Sequence, residues 1–285
     1  MTMRADAPAL LTESASSVWT TRLARLVPPV FTFAALAFLF IPIFVLIAYS
    51  FNASRSTVVW QGLTLDWYAA VLDDRRLRQA VMNSAFVALF AGAFSAAIGT
   101  LTALAIVRRQ FPGKEMLSTA LLAPIVLPEI VIAVALLVFM VALKAPLGFT
   151  SMIIGHVLVT LPFATLIMRT AAVALDPRLE EAAADLGANE WQTFLRVTLP
   201  ALAPAILSAF LMAATLSFDN FVMSTFVTGV GSTTLPIYIY AQLKTGLTPQ
   251  INALGTLLVI ANMTVLIAVI GYQFRLRARR QRLSQ

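Results

Sequence analysis

Six long apolar segments constrain this chain more than any other feature of its sequence. A helix needs roughly 20 apolar residues to cross a hydrocarbon core of about 30 Å. Such a segment must cross as a helix, because its backbone polar groups find no partners in lipid. The sequence therefore predicts an all-α integral membrane protein with six transmembrane helices. The six segments are Pro29–Phe51, Ala80–Val107, Leu117–Leu143, Ser151–Thr170, Ala205–Phe226 and Ile251–Phe274.

Composition supports this class and excludes several others. Of the 285 residues, 60% are hydrophobic and 12% are charged, whereas about 25% are charged in a typical soluble protein. The absence of cysteine excludes disulfides, thiolate metal sites and cysteine nucleophiles. The net charge of +7 does not indicate a nucleic-acid partner, because the basic residues are scattered between apolar segments and form no basic face with interleaved aromatic residues.

The distribution of Arg and Lys predicts the orientation in the membrane. If the N-terminus is cytoplasmic, 14 of the 20 basic residues lie on the inside and 6 on the outside, and cytoplasmic loops carry such an excess. We expect a cytoplasmic tail at 1–28, a first span with a periplasmic loop at 29–78, a transmembrane core at 79–274 and a basic cytoplasmic tail at 275–285. The inside residues are Arg4, Arg22, Arg25, Arg108, Arg109, Lys114, Arg169, Arg178, Arg196, Arg275, Arg277, Arg279, Arg280 and Arg282.

A charged, alanine-rich segment, 176–200, separates the fourth span from the fifth. Asp176 and Pro177 predict a helix start, with Asp at the N-cap and Pro at the first helical position. Acidic residues at Glu180 and Glu181 complement the dipole of its first turn, and Gly187 suits the left-handed position that ends a helix.

A second short helix is predicted directly after Gly187. Asn189 and Gln192 have the spacing of a capping box, and Pro200 predicts that this helix ends before the fifth span starts. We expect two short helices with a sharp bend at the glycine. Their small side chains leave a face that another protein can approach closely.

The same segment carries a spaced motif that resembles the cytoplasmic loop of type I ABC importer permeases. The family pattern is Glu-Ala-Ala, three residues, Gly, nine residues, Ile or similar, one residue, and Leu-Pro. Val in place of Ile is the one departure. The matching residues are Glu181, Ala182, Ala183, Gly187, Val197, Leu199 and Pro200.

This resemblance implies a six-span permease subunit of the cell inner membrane. In the family, the loop helix docks into a groove on an ABC ATPase dimer, and a second homologous permease and a periplasmic substrate-binding protein complete the importer. ATP and Mg²⁺ belong to the ATPase, so no cofactor is expected on this chain. The sequence agrees that ATP binds elsewhere. Gly113-Lys114 is followed by Glu115 and does not form the phosphate loop that ATP binding needs.

Two further stretches resemble the polyamine (spermidine/putrescine) permeases within this family. They are "PIVLPEIVIAVALLVF" and "LSFDNFVMSTFVTGVGSTTLPIYIYAQLKTGLTPQINALGTLL". Relatives that move opines, aminophosphonates or iron share parts of them, so another cargo is the main alternative. A secondary carrier is a further alternative, although no internal repeat is visible. A membrane enzyme is disfavoured by the lone His156.

Four polar residues inside the apolar segments are the candidate cargo pathway. Burying a charge in a span costs at least about 2.5–3.5 kcal/mol, so Glu129 and Asp219 each need a reason. At about 1.5 Å per residue, both rise some 18–21 Å from the inner end of their spans, and His156 lies near the same level. We expect Glu129 and Asp219 to act as transient counter-charges for a cation, with Asn220 beside Asp219 in the same pathway. For Glu129 the alternative is a carboxylate that caps the helix after the break at Pro124 and Pro128 or that bonds a neighbouring helix. For His156 an interhelical hydrogen bond is the favoured interpretation.

Overall fold

The computed structural model describes residues 15–54, 59–246 and 248–283, which are almost entirely helical. Within these ranges no β-strand forms, and an isolated antiparallel bridge pairs Asn52 with Leu63. The all-α prediction is therefore confirmed. The helices are α1 (Ala15–Tyr49), α2 (Asp66–Asp73), α3 (Arg75–Arg108), α4 (Lys114–Val126), α5 (Glu129–Ala142), α6 (Phe149–Ala174), α7 (Arg178–Asp185), α8 (Glu190–Thr193), α9 (Leu199–Phe218), α10 (Val222–Val227), α11 (Leu235–Thr245) and α12 (Pro249–Leu283), with a π-helical segment at Phe194–Thr198.

Four helical stretches of the described residues are long and apolar enough to cross a membrane. They are Pro28–Tyr49 within α1, the whole of α3, the whole of α6, and the continuous run Glu190–Phe218. The pair α4 and α5 meets the same criterion together but bends by 108° between its halves. The sixth predicted segment lies within α12, and the count of six spans stays a prediction.

The apolar run Leu117–Leu143 was expected to form one span, and the structure divides it at Leu127 and Pro128. Leu127 is extended, with φ −74° and ψ 139°. A proline disfavours helical conformation in the residue before it and supplies no N–H of its own. Apolar periodicity carries no sign of such a turn, because both halves remain apolar.

The other predicted boundaries shift at the ends of helices. α1 starts at Ala15, inside the stretch predicted as a polar tail, and residues 1–14 lie outside the described residues. The fifth span ends at Phe218, not at Phe226. α12 continues through the basic tail to Leu283. A helix can continue from an apolar run into an amphipathic or basic sequence. Hydropathy detects the end of the apolar run and not the end of the helix, so it predicts helix ends inaccurately.

The chain divides into two compact units. One comprises residues 1–70 and 248–285, and the other residues 71–247. In the first unit α1 packs on α12, where the Leu46 side chain lies 3.2 Å from the position that a Cβ on Gly255 would take. After α1, Asn52 is buried, and its backbone carbonyl accepts a 2.8 Å hydrogen bond from the Trp67 indole.

The second unit is built around α3, which packs against α6 and α9. The helices approach closely at glycines. A Cβ on Gly92 would lie 3.0 Å from the Ala214 Cβ, and one on Gly99 would lie 3.1 Å from the Thr165 nitrogen. Helices in lipid gain little from apolar burial, so close van der Waals packing of small residues holds them together. Two clusters of buried side chains lie along this core, one around Met152 and Met223 and one around Ala103 and Met168.

Candidate functional site

The first short helix of the segment 176–200 forms one residue later than predicted. Pro177 is the N-cap of α7, and the Asp176 carboxylate accepts a 3.0 Å hydrogen bond from the Arg178 backbone N–H. Asp176 therefore stabilises the helix start from the position before the cap. No residue of α7 is buried, so the helix makes little apolar contact with the rest of the described chain.

Gly187 ends α7 in the left-handed conformation, as predicted, with φ +86°. The Gly187 N–H donates to the Ala184 carbonyl at 2.9 Å, and the Ala188 N–H donates to the Ala183 carbonyl at 3.0 Å. These two bonds are those of a Schellman motif, in which glycine avoids the steric cost of a Cβ. Apart from its two chain neighbours, no heavy atom of the described residues lies within 4 Å of a Cβ built on Gly187.

The capping box of the second helix is also present. The Asn189 side chain accepts a 2.8 Å bond from the Gln192 N–H, and the Gln192 side chain accepts a 3.2 Å bond from the Asn189 N–H. The expected helix end before Pro200 is wrong. The Leu199 N–H bonds to the Phe194 carbonyl through the π-helical segment, and this wider turn lets the helix pass a residue that has no N–H.

The motif residues divide between an exposed surface and a helix junction. Glu181, Ala182 and Gly187 are exposed, and Ala183 is half-buried. Leu199 and Pro200 are the first two residues of α9. Two large apolar side chains extend the exposed surface, since Leu186 is 89% and Trp191 66% exposed. Exposed apolar groups beside small residues are typical of a protein contact surface.

The structure brings three of the four candidate pathway residues together. The Asn220 amide donates to the Glu129 carboxylate, and its oxygen accepts a 2.9 Å bond from the Met223 N–H. Glu129 is the first residue of α5, where a carboxylate also complements the helix dipole. The link joins two helix breaks, one between α4 and α5 and one between α9 and α10.

His156 is buried beside the same break, with 1% of its surface exposed. Its ring nitrogens lie 2.7 Å from the Ser217 hydroxyl and 3.0 Å from the Ser224 hydroxyl. Since Ser224 donates its proton to the Asn220 carbonyl, Nε2 is the donor toward Ser224 and Nδ1 accepts from Ser217. We call Glu129, His156, Ser217, Asn220 and Ser224 the polar layer.

Asp219 differs from the placement expected for it. It is the C-cap of α9 and is exposed, so it lies at the end of a helix and not within one. Across residues 15–54, 59–246 and 248–283, no hydrogen bond or ion pair engages its carboxylate. The helix ends here because the chain turns at Asn220 into the short α10, which an apolar count through Phe226 does not reveal.

Sequence reasoning missed Ser217 and Ser224. Both are small hydroxyl residues within apolar stretches, and such residues often hydrogen-bond between membrane helices. A second pair of this kind, Ser95 and Thr160, lies 2.8 Å apart between α3 and α6. For Ser217 and Ser224, the position of a small hydroxyl residue inside a long apolar run is the one signal in the sequence that indicates an interhelical hydrogen bond.

The start of α3 is bonded to α11. The Asp74 carboxylate accepts bonds from the Tyr238 hydroxyl at 2.6 Å and from the backbone N–H groups of Leu77 and Arg76. Burial raises the pKa of the Asp74 carboxyl, but these hydrogen bonds outweigh it and hold the pKa below its ordinary 3.8. Burial first, and then donation to Asp74, raises the pKa of Tyr238. The stabilisation from Asp74 is therefore present above pH 3.8 and is lost as the pH falls through the lowered value.

Comparison with known proteins identifies relatives along most of the chain. Residues 88–282 match the family described as binding-protein-dependent transport system inner membrane component. The spermidine/putrescine transport system permease protein PotC of Escherichia coli strain K12 is 39% identical over 244 residues, which cover 86% of this chain and 92% of PotC. The putrescine transport system permease protein PotI of the same strain is 35% identical over 253 residues, covering 86% and 89%.

Solved structures show the same fold at low sequence identity. A bacterial ABC transporter involved in import of the acidic polysaccharide alginate has a chain that superposes with a TM-score of 0.67 at 18% identity, covering 89% of this chain and 96% of that one. The MetNI methionine ABC transporter in an inward-facing form gives a TM-score of 0.57 at 19% identity, covering 70% and 94%.

The polar layer predicts that His156 is needed for stability. Replacing His156 with Leu removes both hydrogen bonds and leaves the buried Ser217 hydroxyl without that partner, which costs about 1–3 kcal/mol. We expect a lower thermal midpoint for the purified protein, a smaller loss for His156→Gln, and unchanged uptake for each assembled complex. A His156→Leu protein that melts normally but fails in uptake would place this residue in the pathway instead.

Proposed function

The chain belongs to the binding-protein-dependent transport inner membrane component family, and we infer that it is a permease subunit of an ATP-driven importer for polyamines such as spermidine or putrescine. The observation that carries this proposal is the likeness to PotC and PotI over most of both chains. The chain is a multi-pass membrane protein, and in this role it forms half of a transmembrane pathway.

A cationic cargo agrees with the charged residues in the apolar segments, which are mostly acidic. Glu129 and Asp219 are carboxylates at two helix breaks that the Asn220 side chain links, and Asp219 has no internal partner in the described residues. Among the six apolar segments of the sequence, Arg169 near the end of the fourth is the one basic residue. A polyamine that leaves water needs anionic ligands to offset its desolvation, and these carboxylates supply them. Opine, aminophosphonate and iron remain the alternative cargoes.

We predict that Asp219 contributes a negative charge to polyamine transport. Asp219→Asn keeps the shape and hydrogen-bonding capacity but removes the charge. We expect at least about tenfold lower uptake of spermidine or putrescine, which corresponds to roughly 1.4 kcal/mol of barrier, with the same amount of assembled complex. The matched control is Asp73→Asn, which removes an exposed carboxylate at the end of α2.

Uptake of radiolabelled polyamines into proteoliposomes, normalised to complex abundance, measures this effect. Undiminished uptake for each complex of Asp219→Asn removes Asp219 from the pathway. If the wild-type transporter instead takes up an opine, an aminophosphonate or iron and no polyamine, the proposed cargo is wrong, whereas the importer assignment is not.

The exposed surface of α7 suits a docking site for the ATPase. In the proposed importer, two ATPase subunits hydrolyse ATP with Mg²⁺, and a second homologous permease and a periplasmic binding protein complete the assembly. Glu181, Ala182 and Ala183 lie on α7, and Gly187 sets the turn that follows it. The small side chains permit close approach of the partner surface, and Leu199 and Pro200 continue the segment into α9.

We predict that substitutions at Gly187 uncouple ATP hydrolysis from transport. At φ +86° a side chain with a Cβ costs about 1–2 kcal/mol, and a bulky one also occupies the space in which the partner docks. Gly187→Leu should abolish cargo-stimulated ATPase activity and uptake, while the protein still inserts. Gly187→Asn is the control for conformation, since Asn tolerates the left-handed region. Wild-type coupling in Gly187→Leu contradicts the docking assignment.

The excess of basic residues predicts that both termini and the segment 176–200 are cytoplasmic. The absence of native cysteine permits single-cysteine labelling at Ser16, Asn189 and Val230, of which Val230 is fully exposed. We expect a membrane-impermeant thiol reagent, applied to intact cells, to label the Val230→Cys protein alone. All three should react after the membrane is permeabilised. Labelling of Asn189→Cys in intact cells would invert the topology.

A further inference from the structure

Arg108, the last residue of α3, lies where the ends of several helices meet. Its Nη2 donates to the Leu175 carbonyl at 3.3 Å, and Leu175 is the C-cap of α6. The same nitrogen lies 3.7 Å from Oε1 of Glu180, in the first turn of α7. Oε1 of Glu180 also accepts a 2.8 Å bond from the hydroxyl of Thr198, in the π-helical segment before α9. We call Arg108, Glu180 and Thr198 the Arg108 cluster.

The Arg108 cluster is partly buried. The side chains of Arg108 and Glu180 are 22% and 28% exposed, and Thr198 is 4% exposed. The neighbouring ion pair between Arg109 and Glu190 has exposures of 68% and 89%. Water and salt weaken an exposed pair far more than a partly buried one, so the Arg108 pair is screened less than the Arg109 pair.

The space around the cluster is a cavity and not a packed core. A cavity of about 560 Å³ separates the end of α3 from α7 and α8, with Leu104, Ala184 and Phe194 in its wall. Because α7 buries none of its residues, apolar packing does not fix it to the spans. The hydrogen bond that Glu180 accepts from Thr198 and its ion pair with Arg108 attach α7 to them instead.

The guanidinium has an unused donor that permits a second arrangement. In the described part of the chain, Nε of Arg108 is buried and has no hydrogen-bond partner. An arginine can present two parallel N–H groups to both oxygens of a carboxylate, which is a stronger and more rigid pairing than one contact. A pairing of this kind between Arg108 and Glu180 would use the Nε donor.

We propose that Arg108 and Glu180 are positioning residues that make the spans α3, α6 and α9 move with α7. This inference rests on the proposed function, because it assigns the link between the docking helix and the pathway. A displacement of α7 by a partner acts on Glu180, and through it on Arg108 and Thr198. The end of α3, the end of α6 and the start of α9 then move together and not independently.

The test is the number of polyamine molecules taken up for each ATP hydrolysed. The complete transporter, with its ATPases, second permease and binding protein, is reconstituted in proteoliposomes with spermidine as cargo. We expect Arg108→Ala to lower this ratio by about fivefold or more, the lower end of typical couplings between sites, with ATP hydrolysis retained. Arg108→Lys keeps the charge without the planar fork, and we expect it to restore part of the ratio.

Two nearly isosteric variants keep the test decisive if Arg108→Ala does not assemble. Glu180→Gln removes the charge but keeps an acceptor for Thr198, and Thr198→Val removes the hydroxyl. Both should lower the ratio, and Glu180→Gln should lower it more. The matched control is Arg169→Ala, which removes an exposed arginine from α6 outside the Arg108 cluster and should leave the ratio unchanged.

The possible results separate this inference from the proposed function. If the wild-type complex transports spermidine and both Glu180→Gln and Arg108→Ala keep its ratio of uptake to hydrolysis, the positioning role is wrong and the proposed function stands. If the wild-type complex does not transport a polyamine at all, the proposed function itself fails. A loss of assembled complex with an unchanged ratio in the remainder also overturns the positioning role.

Discussion

The close approach of α3 to α6 and α9 is the contact on which the rest of the second unit, residues 71–247, depends. Lipid is as apolar as the helix surfaces, so burial supplies little force for association, and contact area must come from short distances. Gly92 and Gly99 provide those distances. At about 1.5 Å per residue, the 34 residues of α3 extend over about 51 Å. Both ends of this helix then hold other elements by polar bonds, with Asp74 at its start and Arg108 at its end.

The polar layer follows from two helix breaks that face one another. Unbonded backbone is tolerated at membrane depth when protein covers it or when it lines water. The break between α4 and α5 is closed by Glu129, and the break between α9 and α10 by Asn220, with a hydrogen bond between the two side chains. His156 then bridges both sides of the second break. Unlike Glu129, whose carboxylate accepts from Asn220, Asp219 makes no side-chain hydrogen bond or ion pair with the described residues.

Local signals in the sequence predicted the fold class and much of the segment 176–200. Gly187 and the pair Asn189 and Gln192 act within one helical turn, so their types and spacing suffice. The helix end predicted before Pro200 is wrong because a π-helical turn continues the helix past this proline. No residue type in the sequence predicts such a turn. Asp219 is the C-cap of α9 and not a residue within the span, because the apolar stretch continues after the helix has ended.

The contacts that assemble the site are between residues distant in the chain, and these could not be predicted from one sequence. Nothing near Arg108 marks its bond to Leu175 or its proximity to Glu180, because basic residues at the end of a span already have a sufficient explanation in topology. The hydrogen bonds of His156 also join residues distant in the chain, so their partners could not be predicted. Its lone position in an apolar helix predicted an interhelical bond but did not identify Ser217 or Ser224 as partners.

α9 joins the two regions of interest within one continuous helix. Thr198 lies just before its start and Ser217 near its end, about 28 Å apart at roughly 1.5 Å per residue. A helix of this length, packed along α3 and α6, transmits displacement better than it absorbs it. The π-helical segment Phe194–Thr198 is the exception, since its i→i+5 bonding interrupts the regular α-helical pattern just before α9. The Glu180 to Thr198 bond joins α7 to the end of this segment. It therefore ties α7 to the helix that carries Ser217 of the polar layer.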